Sequence, residues 1–317
     1  MKDLAAAIKK YDDLLICMHV DPDGDTIGSA CALSLILEGL KKKYIIYSPD
    51  PIPHIYRFIK NTDKTVKTLD DNKKYGAVIA VDCGDIKRIA GGAKIRGLGD
   101  VLINIDHHED NTMFGDINHV KQGSSTGEII YDLAQELKVK IDTDMANALY
   151  AAIITDTGSF RYNNTTAKVF ETAAALTRCG VSPNEIANRL YDSRTMSEIK
   201  MLGRALEKIE SFSDGSIALI ALTQEDVAAC GATPEEMRGI VDHIRSLKDV
   251  EIAIFMRETE KNRIKVNFRS KTFNIQQIAK ALGGGGHKRA SGVVLEGSLD
   301  EVKNKVIGTA KSIWTGS

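Results

Sequence analysis

Four short apolar runs in the first third of the chain carry no polar–apolar alternation: residues 14–18, 44–47, 77–81 and 101–105. A strand with one solvated face alternates. A strand buried on both faces does not, because the side chains on either side of the pleat all need apolar neighbours. Helical stretches fall between the runs, the clearest over about 27–42. Strands of this kind alternating with helices specify an α/β fold with a parallel sheet.

From residue 124 to about 191 the pattern is mainly helical. Ser125 and Thr126 stand as an N-cap before Glu128, and residues 144–155 and 166–179 have helical apolar spacing. Gly180 suits the position after a helix, and Ser182 with Pro183 reads as an N-cap followed by proline. Residues 195–212 read as one further helix. The last hundred residues change character, with strands over 216–222, 251–257, 263–269 and 290–295 and helices over 274–282 and 300–313. A length of 317 residues suits about two domains. The expected division is 1–190, a connector helix over 191–211, and a smaller C-terminal domain over 212–317.

Lys and Arg number 42 against 43 Asp and Glu, a net charge of -1, which excludes a histone-like or polybasic nucleic-acid binder. No apolar run approaches the ~18 residues of a membrane helix, and the N-terminal segment mixes Lys and Asp without a signal-peptide core. No membrane association is expected. Five cysteines (Cys17, Cys31, Cys83, Cys179 and Cys230) form no CxxC pair. Such a set suits reduced thiols and core packing in the cytoplasm.

The apolar runs end on acids and imidazoles. The first is followed by His19-Val-Asp21-Pro-Asp23-Gly-Asp25, the third by Asp82, and the fourth by Asp106-His107-His108. Ligand sites in parallel α/β sheets lie at the carboxyl ends of strands, so one sheet edge collects these groups. Asp156 adds a carboxylate at a helix end. Taken singly, each residue is a turn or cap, with Asp25 or Ser29 as the cap of the next helix. Taken together, the carboxylates would repel one another, and a bound cation removes that repulsion. The donor set exceeds what a four-coordinate Zn²⁺ uses and suits Mn²⁺, Fe²⁺ or Co²⁺. It is large enough for two ions sharing a carboxylate, the arrangement that handles phosphoryl chemistry.

Charge is also sorted by segment. Residues 261–291 hold Lys261, Arg263, Lys265, Arg269, Lys271, Lys280, Lys288 and Arg289 with no Asp or Glu, whereas residues 97–120 hold five acids and no Lys or Arg. Four glycines, Gly283, Gly284, Gly285 and Gly286, precede His287, Lys288 and Arg289. Their backbone N–H groups can cradle phosphate, and His287 and Arg289 add charged donors. Arg269 and Lys271 stand upstream. Lys261, Arg263 and Lys265 read as a solvated edge face. Phe268 and Phe273 could stack a base but suit core packing better.

These residues resemble the DHH phosphoesterase superfamily. HVDPDGDTIGS (19–29), VDCGD (81–85), NIDHH (104–108) and ITDTGSF (154–160) are similar to its four ordered motifs, and GGGGHKRASG (283–292) to the signature loop of the DHHA1 domain. The resemblance spans nearly the whole chain. It implies a parallel-sheet DHH domain, a DHHA1 domain with a mixed sheet, and an active site in the interdomain cleft. Two Mn²⁺ ions are implied, with Mg²⁺ or Co²⁺ as substitutes: one on His19, Asp23 and Asp82, the other on Asp25, Asp82, His107 and Asp156. Asp82 would bridge, His108 would act beside the scissile phosphate, and Asp106 would orient an imidazole. Asp21 is no ligand in this mapping. Arg269, Lys271, Gly284, Gly285, Gly286, His287 and Arg289 would hold substrate phosphates.

A two-domain chain of this size most resembles the NrnA-type branch. That implies a 3′-5′ oligoribonuclease acting on very short single-stranded oligonucleotides and a phosphatase for the nucleotide bisphosphate 3′-phosphoadenosine 5′-phosphate (pAp). A homodimer is compatible with it. The alternative within the superfamily is a phosphodiesterase for cyclic dinucleotides or linear dinucleotides. A family II pyrophosphatase is opposed by the glycine loop, a RecJ-like exonuclease by the chain's size, and a catalytically dead sensor by the complete ligand set.

Overall fold

The computed structural model describes residues 1–70, 72–286 and 288–314. The chain forms two compact units that divide between Ser193 and Arg194.

In the first unit α1 (Lys2–Lys10) leads into β1 (Leu14–Cys17), α2 (Gly24–Gly39), β2 (Tyr44–Tyr47), β3 (Thr65–Val66), β4 (Ala77–Val81), α3 (Ala93–Arg96), β5 (Leu102–Asp106) and β6 (Ile117–Val120). Four helices follow: α4 (Thr126–Leu137), α5 (Thr143–Asp156), α6 (Ala167–Arg178) and α7 (Pro183–Tyr191). The six strands are all parallel, in the order β3-β2-β1-β4-β5-β6. Strand order therefore reverses between β1 and β4, and a crevice opens at the carboxyl ends there. Every residue of β1, β4 and β5 is buried, which is why none of them alternates in sequence. The short edge strands β3 and β6, only half-buried, left no such pattern.

Helix α2 begins at Gly24, three residues before the expected start. Its cap is Asp23, not Asp25 or Ser29: the Asp23 carboxylate accepts from the Asp25 and Thr26 amides at 3.2 and 3.1 Å. The cap pulls Asp25 and Thr26 into the first helical turn, where Pro22 and Gly24 suggest a loop. All residues of α2 from Gly24 to Leu37 are buried, so the helix is enclosed on every side. It lies against α5 so closely that a Cβ at Gly28 would stand 2.4 Å from the Ala148 carbonyl oxygen. A Cβ at Gly127, in α4, would stand 2.5 Å from that of Ala152. Glycine at these two positions lets α2 and α4 share one face of α5.

In the second unit α8 (Met196–Leu206) precedes β7 (Glu210–Phe212), β8 (Ile217–Leu222), α9 (Gln224–Cys230), α10 (Ile240–Arg245), β9 (Ile252–Glu260), β10 (Arg263–Ser270), α11 (Gln276–Ala281), β11 (Gly285–Gly286), β12 (Ala290–Glu296) and α12 (Leu299–Ile313). The sheet is mixed, in the order β11-β12-β10-β9-β8-β7, with only β8 and β9 parallel. The helix expected over 195–212 stops at Leu206. Residues 210–212 instead form a hairpin with β8, turned by Ser213, Asp214 and Gly215, all at positive φ. Asp-Gly is a hairpin signal that the helical reading overrode. β10 is likewise no edge strand. It is hydrogen-bonded on both sides and alternates, with Ile264, Val266 and Phe268 buried and Arg263, Lys265 and Arg269 on the other face. Phe268 is a core residue, and Phe273 packs edge-on against Trp314 at 5.1 Å.

Two carboxylates fasten α8 to the second unit. Asp226 accepts from Arg204 Nε (3.0 Å), Lys208 Nζ and the Thr223 amide (3.0 Å), and Glu236 accepts from the Thr195 and Ser197 hydroxyls and the Thr233 amide. Burial alone would raise the Asp226 carboxyl, but the Lys208, Thr223 and Arg204 bonds hold it at about 2. A depressed carboxyl contributes stability above its unfolded value, near 3.8, and loses it as pH falls toward 2. Asp226→Ala is therefore expected to destabilise this unit by about 2 kcal/mol at neutral pH. The difference from wild type should shrink as pH drops below about 4. Urea titration followed by fluorescence of Trp314, the single tryptophan, measures it; a difference that stays constant with pH would exclude the charge-based role.

Candidate metal centre

The crevice at the end of β1 and β4 receives side chains from five elements. His19 and Asp23 follow β1, Asp25 lies in the first turn of α2, Asp82 follows β4, His107 and His108 follow β5, and Asp156 ends α5. Asp82 turns out of its strand at φ 57, a conformation that Asp tolerates better than most residues. His19, Asp25 and Asp82 are each 2% exposed, whereas Asp23 reaches solvent.

These groups face one another across gaps too long for hydrogen bonds. His19 Nε2 lies 4.0 Å from Asp23 Oδ1 and 3.6 Å from Asp82 Oδ2. His107 Nε2 lies 3.6 Å from Asp25 Oδ2, 3.5 Å from Asp82 Oδ1 and 3.6 Å from Asp156 Oδ2. Potential ligand atoms cluster within 4.8 Å of one another in the sets His19–Asp23–Asp82 and Asp25–His107–Asp156. The other ring nitrogens lie beside backbone carbonyls: His19 Nδ1 is 2.8 Å from Val20 O, with Arg88 Nη2 also 3.2 Å away, and His107 Nδ1 is 3.4 Å from Gly123 O. In the tautomers that donate Nδ1–H to these carbonyls, each Nε2 turns a lone pair toward the carboxylates, as metal-bound histidines do.

Charge agrees with geometry. Burial, then the charges of Asp82, Asp156 and Asp23, push the Asp25 carboxyl well above the usual carboxylate range. Asp156 rises to about 7, chiefly through burial. Burial acts on Asp82 too, but the facing imidazoles of His19, His108 and His107 hold it well below the usual range. The pocket thus holds more carboxylates than it can ionise together. A divalent cation supplies the missing positive charge, and this donor set of imidazoles and carboxylates fits one.

His108 is built differently. Its Nδ1 lies 2.5 Å from Asp106 Oδ1, and Asp106 Oδ2 accepts from Asn111 Nδ2 at 2.5 Å. Asp106 is completely buried. Burial alone would lower the His108 imidazole. The Asp106 hydrogen bond and the charges of Asp82 and Asp106 outweigh it and push the imidazole up to about 9. His108 also falls within ligand range of Asp82 and His107, and its Nδ1 is engaged by Asp106, a bond that favours the protonated ring.

Sequence reasoning missed the groups that hold these carboxylates. The Asp25 carboxylate accepts from the Thr126 and Gly127 amides at 2.7 and 2.9 Å and from Ser29 Oγ at 3.0 Å. Asp82 accepts from the hydroxyls of Thr26 and Thr126 at 2.6 and 3.0 Å. Asn164 Nδ2 joins the carbonyls of Ser124 and Asp156 at 2.9 and 3.1 Å. Thr126 was legible as a helix cap, but its reach to a strand end over forty residues away in sequence was not. Asp21 belongs to neither ligand set; its amide donates to Asp50.

The second unit gathers the other expected residues near β10 and β12. Arg269 pairs in register with Ala290, next to the exposed Arg289, and its Nη1 donates to Phe268 O at 3.2 Å. Lys271 Nζ donates to the carbonyls of Leu247 and Lys248 at 2.5 and 2.9 Å, closing the turn after α10. Gly283 and Gly284 donate their N–H groups to Lys280 O and Ala279 O and end α11. Gly285 and Gly286 pair with β12, and a Cβ at Gly284 or Gly286 would strike the Gly292 or Ala290 carbonyl oxygen at 2.3 or 2.6 Å. The glycine run is therefore a ribbon laid tightly on β12. His287 lies outside the described residues.

Comparison with known proteins agrees with both units. Residues 13–153 match the DHH family N-terminal domain and residues 201–312 the DHHA1 domain. The chain is 32% identical to the bifunctional oligoribonuclease and PAP phosphatase NrnA of Thermus thermophilus, over 99% of this chain and 94% of that protein. It is also 32% identical to the protein of the same name from Bacillus subtilis, over 92% and 91% of the two chains. Among solved structures, an exopolyphosphatase-related protein from Bacteroides fragilis superposes with a TM-score of 0.91 at 25% identity, covering 99% of this chain and 95% of that one. The imidazole and carboxylate donors from His19 to His108 fall inside the first matched domain and the glycine ribbon inside the second, and on these grounds the chain belongs to the DHH family of phosphoesterases that carry a DHHA1 domain.

Proposed function

We propose that this protein hydrolyses very short oligonucleotides to mononucleotides and pAp to AMP, using two Mn²⁺ ions. The observation that carries the reading is the pair of ligand sets flanking Asp82, in a chain similar along its whole length to proteins named for those two activities. His19, Asp23 and Asp82 would hold one ion, and Asp25, Asp82, His107 and Asp156 the other. When bound, the ions supply an activated water and offset charge on the phosphate. The protein contributes the rest. Asp106 keeps His108 protonated beside Asp82, so the imidazolium can neutralise phosphate charge or give a proton to the departing oxygen. We assign Arg269, His287 and Arg289 to substrate phosphates, with Gly284, Gly285 and Gly286 shaping the ribbon beside them and Lys271 bracing the turn after α10. A cytoplasmic setting agrees with the free cysteines. Among the described residues no helix is long and apolar enough to cross a membrane.

Turnover with Mn²⁺ on a diribonucleotide, a short RNA, pAp, a cyclic dinucleotide and pyrophosphate tests this reading. Cleavage of the linear RNAs and pAp is expected. Preference for the cyclic compound or for pyrophosphate would overturn the substrate assignment. His108→Asn is expected to lower kcat about 10²–10³-fold while Mn²⁺ stoichiometry, measured by calorimetry, stays as in wild type. A loss of bound metal instead would make His108 a ligand.

A further inference from the structure

The buried carboxylate of Asp82 has four lone-pair directions, and the structure fills them in a regular way. Oδ2 accepts from Thr26 Oγ1 at 2.6 Å and faces His19 Nε2 at 3.6 Å. Oδ1 accepts from Thr126 Oγ1 at 3.0 Å and faces His107 Nε2 at 3.5 Å. Each oxygen thus has one threonine hydroxyl in bonding contact and an imidazole Nε2 across an open gap, with His108 Nδ1 also 3.7 Å from Oδ1. Both hydroxyls are buried, and they come from different helices, α2 and α4. A carboxylate held from two sides cannot rotate about its Cβ–Cγ bond without breaking a hydrogen bond. Its remaining lone pairs are left pointing into the two gaps.

Thr126 does more than Thr26. Its backbone N–H donates to Asp25 Oδ2 at 2.7 Å while its hydroxyl donates to Asp82 Oδ1. One residue therefore fixes the spacing of two carboxylates that repel each other and come from separate elements. Gly127 supports it from the next position: its amide holds Asp25 Oδ1 at 2.9 Å, and its missing side chain lets α4 approach Ala152.

We infer that Thr26 and Thr126 are positioning residues for the metal centre: they hold Asp82 so that one oxygen serves each ion, and Thr126 also sets the separation of Asp82 from Asp25. This rests on the two-ion reading above. It carries a specific consequence, because valine matches threonine in shape and removes only the hydroxyl donor, whereas serine keeps the donor. Groups that orient metal ligands typically change metal affinity 10- to 100-fold when removed.

The test is calorimetric titration of the metal-free full chain with Mn²⁺ for wild type, Thr126→Val, Thr126→Ser and Thr26→Val, with the thermal transition of each metal-free protein recorded alongside. Thr126→Val and Thr26→Val should each weaken Mn²⁺ binding about 10- to 100-fold, with Thr126→Ser close to wild type. The two valine variants act on opposite oxygens from different helices, so poor folding of one leaves the other to decide. A merely structural role would shift the thermal transition of the valine variants without a serine-rescued change in Mn²⁺ affinity, and that result overturns the inference. Unchanged Mn²⁺ binding by both valine variants overturns it alone. Absence of Mn²⁺ binding by the wild-type chain overturns the two-ion reading and the inference together.

Discussion

Asp82→Ala is expected to abolish turnover, with kcat falling at least about 10³-fold, while the chain keeps its fold. Asp82 is the carboxylate that His19 Nε2 faces at one oxygen and His107 Nε2 at the other, with His108 Nδ1 also near the second. No neighbour can replace it: Asp25 is held by the Thr126 and Gly127 amides, and Asp156 is fixed at the end of α5. The fold should survive because the side chain lies at a strand end, outside the apolar core clusters. Its removal also takes away a charge that pushes the Asp25 carboxyl up. Steady-state turnover, Mn²⁺ stoichiometry and far-UV circular dichroism together check this. Substantial turnover in a folded Asp82→Ala protein would rule out a shared carboxylate. Asp106→Asn is the informative contrast. It should keep bound Mn²⁺ while lowering turnover, because Asp106 meets the centre through its bond to His108.

The parallel sheet was legible because fully buried strands cannot hide. β1, β4 and β5 each appear as an apolar run, and each is followed by acids or imidazoles at its carboxyl end. The side chains around the crevice were legible for the same reason, since strand ends at a reversal of strand order converge on one edge. What stayed hidden was set by tertiary contact. Nothing local says that Thr26 and Thr126 reach the same carboxylate; the Asp23 cap of α2 and the Asp106–His108 bond are local, but several acids nearby competed for those roles in the sequence. β6 is a half-buried edge strand whose four residues, Ile-Asn-His-Val, carry neither an apolar run nor an alternation. In the second unit Lys271 looked like a free phosphate donor, and its bonds to two carbonyls of the turn after α10 came only with the fold. Charge composition marked out the basic segment but could not say which of its members already had partners.

The glycines separate packing from propensity, and two of them give opposite expected results for one change. Gly28→Ala puts a methyl group 2.4 Å from the Ala148 carbonyl oxygen and 2.9 Å from Ala152 Cβ. Neither neighbour is a flexible side chain, so α2 and α5 must move apart. Overpacking of this kind costs about 3 kcal/mol and lowers the first unit's melting temperature by roughly 6–12 °C. The displacement also separates Asp25 on α2 from Asp156 on α5, so Mn²⁺ affinity should fall with stability. Gly203→Ala is the counterpart. Gly203 lies inside α8 with nothing within 4 Å of the added Cβ. There the substitution removes the backbone entropy penalty of a mid-helix glycine and should stabilise the second unit by about 0.5–1 kcal/mol. Differential scanning calorimetry of both variants, with Mn²⁺ titration of each, reads the two effects separately. A Gly28→Ala protein that melts like wild type would mean that α2 and α5 do not pack at the observed distance, and the placement of Asp25 opposite Asp156 would fall with it.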